Sequence, residues 1–244
     1  MSSKKIQVCL SPALLPFYDL NNTIAVVIDI FRASSSMCYG LANGARAIIP
    51  VEEIDECLSY QGKGYLLAAE RDGEVVEGFD FGNSPFSYTR EKVEGKTIVL
   101  TTTNGTRAIK QCTRAEAVVI GSFLNITALS NWLKDQDRHV LLVCAGWKNH
   151  IGLEDMVFAG ALVNRLVGSG IELDDAAYAA QATYLGAQDS LAAFLANASH
   201  SKRMRHLNIK RDIAFCLQTD KVSAIPILKD GALTCLLEHV QTAQ

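Results

Sequence analysis

The sequence predicts an α/β fold: a layered, largely parallel or mixed sheet flanked by helices, with a helical and hairpin-like C-terminal third. Three observations predict it. Over the first two-thirds, short β-branched apolar runs alternate with helical patterns, as in sheets whose strands are joined through helices. The apolar runs have the length of buried strands. From residue 173 the chain turns Ala-rich and helical, and an Asp230-Gly231 pair between two late apolar runs marks a tight turn, because Asp-Gly supplies the positive φ such a turn needs.

The elements follow in order. Residues 6–10 and 24–30 are predicted strands, 35–42 a helix, 47–51 a strand, 53–60 a helix, and 65–69 and 97–101 strands. A helix over 106–111, a strand over 117–120, a helix over 126–135, a strand over 139–144 and a helix over 153–167 complete the alternating part. Residues 173–216 are predicted helical with a break at Gly186. Residues 223–228 form a strand, Lys229-Asp230-Gly231 the turn, and 232–236 a second strand or helix start. No Pro/Gly/Ser linker divides the chain, so residues 1–244 are expected to form one unit, with 170 as the one place where a sub-boundary would fall. An internal echo stands out. A strand, a hydroxyl-rich turn with an Arg, a helix and a strand occur over residues 24–49 and again over 97–119, either as a duplication or as the ordinary repeat of α/β architecture.

Bulk properties exclude several classes. The 244 residues are 49% hydrophobic and 20% charged, enough for a substantial core. A net charge of -3 lacks the basic excess of a nucleic-acid binder. The most basic stretch, residues 202–211, is interrupted by Leu207 and Ile209 and fits a solvated helix face. The seven cysteines are scattered, odd in number and without a C-x-x-C pair, which argues against a disulfide framework or a structural zinc site. They are expected to be small buried hydrophobes in a reducing, cytoplasmic setting. The N-terminus lacks a signal-peptide h-region. No apolar run reaches the ~18 residues of a membrane span. The expected partner is a small molecule, and a homo-oligomer is left open.

Four segments carry chemistry. Thr101-Thr102-Thr103-Asn104-Gly105-Thr106-Arg107 follows a predicted strand and opens a helix, the place where ligands bind in open α/β sheets. Its hydroxyls, the Asn104 amide, close approach at Gly105 and the Arg107 fork suit a phosphate. Four hydroxyl residues in the six positions 101–106 are more than a helix cap requires. Asp29-Ile30-Phe31-Arg32-Ala33-Ser34-Ser35-Ser36 also ends a buried strand. Asp29 can hold Mg²⁺, which binds through few carboxylates, while Arg32 and the serines can hold an anion; alternatively Asp29 caps a turn. Glu70-Arg71-Asp72-Gly73 and the loop Gly78-Phe79-Asp80-Phe81-Gly82-Asn83-Ser84-Pro85 place Glu70 and Asp80 as candidate metal ligands or bases and Arg71 as an anion reader. Finally, Glu154 and Asp155 open a helix after Cys144-Ala145-Gly146, where acids suit the helix dipole, and His150 lies in the same loop. His139, His200, His206 and His239 lack zinc-ligand spacing.

Several phosphate-handling motifs are absent. There is no G-x-x-x-x-G-K-[ST] and no G-x-G-x-x-G, no G-x-S-x-G, no D-x-D starting at Asp29, and no Cys six residues before an Arg.

Taken together, Ile28 to Ala33, Ala42-Asn43-Gly44-Ala45, Glu70-Arg71, the 78–85 loop, Thr101 to Thr106, Gly121-Ser122-Phe123-Leu124-Asn125, and Cys144-Ala145-Gly146 with Leu153-Glu154-Asp155 resemble the 2-phosphosulfolactate phosphatases. The match runs in order from about residue 29 to 160. One departure is Ser34-Ser35-Ser36 where threonines are expected; the hydroxyls survive. The resemblance implies Mg²⁺-dependent hydrolysis of 2-phospho-3-sulfolactate to 3-sulfolactate and phosphate, a step that serves coenzyme M synthesis in methanogens. It also implies a distinct α/β fold rather than a standard phosphatase scaffold.

The resulting expectation is specific. Asp29, Glu70 and Asp80 share the Mg²⁺, and Asp29, Arg32, Glu70 and Arg107 carry the chemistry. Ser34, Arg71, Asn83, Ser84, Thr102, Thr103, Asn104, Gly105 and Thr106 bind substrate. If Arg107 clamps the phosphoryl group, Arg107→Ala should lower kcat ~10²-fold. The rivals are the same scaffold acting on another small phosphorylated acid, and a non-catalytic anion-binding protein.

Overall fold

A computed structural model describes residues 3–71, 73–204, 206–207 and 209–236. Asp72, two residues of the basic stretch (Arg205 and Asn208) and the terminal residues 237–244, with His239, lie outside the described residues.

The expected alternation is present. In chain order the elements are β1 (Lys4–Cys9), β2 (Thr23–Ile28), α1 (Ala33–Ala42), β3 (Ala47–Val51), α2 (Ile54–Leu58), β4 (Leu66–Arg71), β5 (Glu74–Val75), α3 (Arg90–Val93), β6 (Thr97–Thr101), α4 (Gly105–Gln111) and β7 (Ala117–Gly121). There follow α5 (Ile126–Lys134), β8 (His139–Cys144), α6 (Leu153–Leu166), β9 (Ile171–Leu173), α7 (Asp175–Ala187), α8 (Leu191–Leu195), α9 (Ser199–Arg203), α10 (Lys210–Cys216), β10 (Pro226–Lys229) and β11 (Ala232–Cys235). Gly186 sits inside α7, so the expected break falls a few residues later, where Ser190 caps α8 through the Ala193 N–H. β5, α3 and β9 are too short to carry a periodic signal.

Eleven strands form one mixed sheet in the order β5-β4-β6-β3-β11-β10-β7-β2-β8-β1-β9. Two parallel blocks, β4-β6-β3 and β7-β2-β8-β1-β9, are joined by the β10–β11 hairpin, which pairs antiparallel with β7 on one side and β3 on the other. The blocks therefore run in opposite senses. The late apolar runs thus form the centre of the sheet, and β9 adds a strand beyond β1.

The internal echo has a spatial counterpart. From either side of the hairpin the order reads inner strand, outer strand: β3 then β6, and β7 then β2. The units β2-α1-β3 and β6-α4-β7 hold equivalent places. β3 and β2 stand four places apart, which would be ~19 Å in a flat sheet. Yet α4, a helix ~10 Å across, packs against both. The sheet must curl around α4. Buried residues of α1 (Ala33, Met37, Cys38) and α4 (Ala108, Ile109), with Cys112 just after α4, join one core with Val27, Ile120 and Leu100, while α5, α6 and α7 cover the other side of the β7-to-β1 block. Curling brings the loop after β2 against the loop after β6.

All seven cysteines are free, and six are buried. Burial is the largest effect on the Cys38 and Cys144 thiols and pushes both well up, so they act as apolar fillers. Among the described residues no helix is long and apolar enough to cross a membrane.

Candidate active site

β2 is buried at every position and ends directly at Asp29. There the backbone is held twice: the Asp29 N–H donates to Ser34 Oγ (2.8 Å), and the Ser34 N–H donates to the Asp29 carbonyl (2.8 Å). The backbone N–H groups of Ala33 and Gly105 favour the charged form of the Asp29 carboxylate, which lies against the first residues of α1 and α4. Gly105 is required by space. A Cβ there would lie 2.7 Å from Asp29 Oδ2 and 3.0 Å from the Ala33 Cβ.

A cleft opens at this junction. Its lining includes Asp29, Arg32, Glu70, Asn83, Asn104, Trp147, Glu154, His200 and Arg203. Three acids meet there. Burial raises the Asp29 pKa most, and the Glu70 and Glu154 carboxylates raise it further, to about 7. Glu154, buried in the first turn of α6, is pushed up by burial, and Arg203 pulls it partly back. Glu70, the last residue but one of β4, accepts the Gly73 N–H through Oε1. Asp155 is fully used in positioning: its two oxygens accept the N–H groups of Ile30 (2.9 Å) and Gly146 (2.9 Å), tying the loop after β2 to the loop after β8.

The cationic side is built differently. Arg32 donates to Asp212 Oδ2 of α10 (2.6 Å) and to the Gly73 carbonyl (2.7 Å), in a buried ion pair. The buried His200 ring lies 5.0 Å from the Phe31 ring. Burial is the largest cause, with Arg203 and Arg32 adding to it, that lowers the His200 pKa to about 4; the ring is neutral at pH 7. The Arg203 guanidinium lies 4.3 Å from the Trp147 ring centre. Among the described residues, five buried side-chain polar atoms lack a partner: Asn83 Oδ1, Thr103 Oγ1, Glu154 Oε2, His200 Nδ1 and Arg203 Nε. Four of these five residues line this cleft. Buried polar atoms are ordinarily satisfied, so this concentration marks a place built to receive a polar ligand.

The predicted residues separate into groups. Asp29, Arg32, Glu70, Asn83 and Asn104 are brought together. Arg71, Thr102, Thr103 and Arg107 instead line a second depression with Glu52 and Glu53. Arg107 is exposed. At 100° per residue it points ~200° away from Gly105 on α4, so the helix turns it away from Asp29. The Thr102 and Thr106 hydroxyls each accept the other's backbone N–H (3.2 Å each) at the entry to α4, while the Thr101 hydroxyl donates to the Glu52 carbonyl. Arg71 is spent on the Glu70 carbonyl and Thr101 Oγ1. Ser34 binds the backbone at Asp29, and Ser84 precedes a one-turn 3-10 helix. The expected Asp29, Glu70, Asp80 triad is not assembled. Asp80 Oδ2 accepts the Leu67 N–H at 2.7 Å, near the start of β4, whereas Glu70 lies three residues further, ~10 Å along the strand. Among the described residues no group of three or more His, Cys, Asp or Glu side chains forms a ready-made metal cage. His150 is exposed, and its backbone pairs with Trp147.

Against this geometry stand the comparisons with known proteins. Residues 9–231 match the 2-phosphosulpholactate phosphatase family. The chain belongs to this family. Among curated relatives, a probable 2-phosphosulfolactate phosphatase of Thermotoga petrophila is 42% identical over 207 residues, covering 85% of this chain and 89% of the relative. One from Caldanaerobacter subterraneus is 38% identical over 218 residues, covering 87% and 90%. One from Clostridium beijerinckii is 37% identical over 237 residues, covering 95% and 99%. Membership makes the chain an enzyme of the phosphatase class, as its motifs implied. The family match extends well past residue 160, through the helical segment that delivers His200 and Arg203 to the cleft.

The sequence marks Glu154 mainly as a helix-dipole acid, gives His200 no ligand spacing and gives Trp147 no signal; Arg203 reads there as part of a solvated basic helix face over 202–211, whereas the structure seats it on Trp147 in the cleft. The acid pair at the start of α6, directly after a strand-ending Cys-Ala-Gly, was the visible clue to Glu154. No local pattern marks the other three, because they reach the cleft only through tertiary packing.

Proposed function

We propose that this chain hydrolyses 2-phospho-3-sulfolactate to 3-sulfolactate and phosphate in the Asp29 cleft, with Mg²⁺ as cofactor. The observation that carries the proposal is the set of residues with unpartnered buried polar atoms lining a cleft in which Glu70 and Glu154 both press on the Asp29 carboxylate. A polyanionic substrate cannot enter beside those acids without a compensating cation. The donor set fits Mg²⁺: oxygen ligands only, and few of them, since this ion is held through one or two carboxylates together with substrate phosphate and water. Asp29 and Glu154 would hold it, because Glu154 Oε2 is free while both Asp155 oxygens are engaged and one Glu70 oxygen is bound to Gly73. When bound, the ion supplies charge neutralisation and polarisation of the phosphoryl group.

The protein's own groups do the rest. Arg32 has five N–H donors, of which two are used, and the remaining ones can face phosphoryl oxygens whose charge rises in the transition state. Asp212 and the Gly73 carbonyl hold the fork in place, so no reorganisation is needed at the moment of reaction. The Asn83 amide adds a neutral contact. Neutral His200, whose buried Nδ1 has no partner among the described residues, is suited to orienting a water or the substrate. Glu70 is the acid left to take a proton from an attacking water.

The test is phosphate release from 2-phospho-3-sulfolactate with Mg²⁺ and with chelator. Chelator-sensitive turnover is expected. Turnover indifferent to chelator would remove the metal, and no release above background would remove the substrate.

A further inference from the structure

Two arginines line the cleft, and they differ in commitment. Arg32 is paired with Asp212 and fixed by the Gly73 carbonyl. Arg203 has no ion pair within 4.0 Å among the described residues. One of its nitrogens donates to Ser199 Oγ at 3.2 Å, and its Nε is buried with no partner. Its face is taken by the Trp147 ring at 4.3 Å. An aromatic seat of this kind holds the guanidinium plane while leaving edge N–H groups available. Trp147 is itself set by the loop after β8. Gly146 has φ +57, and a Cβ there would lie 2.1 Å from the His150 carbonyl oxygen, so the loop adopts this path only with glycine.

The proposed substrate carries two acid groups besides the phosphate. The acids of the cleft repel both, and Arg32 is already largely neutralised by its own carboxylate partner. That leaves one guanidinium with an open edge, delivered by α9 rather than by the loops that carry Asp29 and Glu70. We propose that Arg203, seated on Trp147, binds the carboxylate or sulfonate that is not transferred, and thereby makes the enzyme prefer phosphorylated acids over neutral phosphate esters. The inference rests on the phosphatase reading of the same cleft and adds a specificity-determining residue to it.

The experiment is calorimetric binding of 3-sulfolactate and of inorganic phosphate, each with Mg²⁺, to the full chain and its Arg203→Gln and Arg203→Lys variants. Loss of a charge-assisted contact should weaken 3-sulfolactate ~10-fold or more. Phosphate affinity should fall clearly less than 3-sulfolactate affinity, because Arg32 and Asp29 are untouched and the phosphate site feels only the loss of the Arg203 charge beside Glu154. Lys should recover part of the loss, since it keeps the charge but not the fork. In turnover the Gln variant should raise KM for the phosphorylated acid more than it lowers kcat. Lactate and 2-hydroxyethanesulfonate identify the acid read: the variant should lose binding of whichever one retains the group that Arg203 contacts. Trp147→Leu, which removes the seat and leaves the charge, should weaken 3-sulfolactate in the same direction and serves if the Gln variant misfolds. Equal loss of phosphate and 3-sulfolactate, or loss of neither, would overturn the assignment while leaving the phosphatase standing. A wild-type protein that binds no 3-sulfolactate would instead overturn the phosphatase reading, and this assignment with it.

Discussion

Asp29→Asn separates a carboxylate kept for a cation from one kept for structure. Burial and the Glu70 and Glu154 charges lift its pKa from 3.8 to about 7. For an acid whose folded pKa is raised, the folded state binds more protons between the two values, so stability falls as pH rises from about 4 to about 7. Above that window the penalty in the metal-free protein is at most ~4 kcal/mol. Asn removes the charge but weakens the favourable interaction with the Ala33 and Gly105 N–H groups, a loss of ~1–2 kcal/mol. The metal-free variant should therefore be more stable than wild type by ~2 kcal/mol near pH 8, or ~4–8 °C in Tm for a chain of this size, and lose this advantage near pH 5. His200, with its pKa lowered to about 4, contributes in the opposite direction, its stability being lost as pH falls from about 6.5. It is common to both proteins, so the difference between variant and wild type isolates Asp29. Mg²⁺ should raise the wild-type Tm more at the higher pH and hardly move the variant, which should also be inactive. The assay is thermal unfolding at the two pH values with Mg²⁺ or with chelator. A variant destabilised equally at both pH values, or stabilised by Mg²⁺ as much as wild type, would refute the reasoning.

Three further outcomes are expected. Gly105→Ala places a methyl group against Asp29 Oδ2 and Ala33; overpacking of this kind costs ~1–3 kcal/mol, and the displaced carboxylate should lower kcat ~10-fold or more, measured by denaturant unfolding and phosphate release. Arg107→Ala should leave kcat within about threefold, because α4 turns this side chain away from the acids; the ~10²-fold loss expected from the sequence motif would restore it to the phosphoryl group. Asp212→Ala leaves the buried Arg32 charge unpaired and should cost ~3–5 kcal/mol; the double variant with Arg32→Met should recover much of that stability in urea unfolding without recovering activity.

The sequence by itself determined the elements and their order, because those depend on local information. Strand β6, Thr97–Thr101, and strand β8, His139–Cys144, are built on short apolar runs rich in Val, Ile and Leu, and the sequence bounds both to the residue. Asp230-Gly231 placed the late turn for the same reason: its conformational demand is carried by two adjacent residues. Asp29, Arg32 and Glu70 were legible because charged residues at the ends of buried strands stand out against their apolar surroundings. Only the tertiary structure decided which charges meet. The β10–β11 hairpin enters between two oppositely directed blocks, and the curl around α4 brings Asp29 to Gly105 across a sheet whose strand order keeps them far apart. Helical rotation sends Arg107 to one side of α4, while the fold carries Glu154, His200 and Arg203 in from α6 and α9. A residue's type and spacing reveal what it can do; which groups share one desolvated space depends on long-range packing, and that space sets their charge and partners.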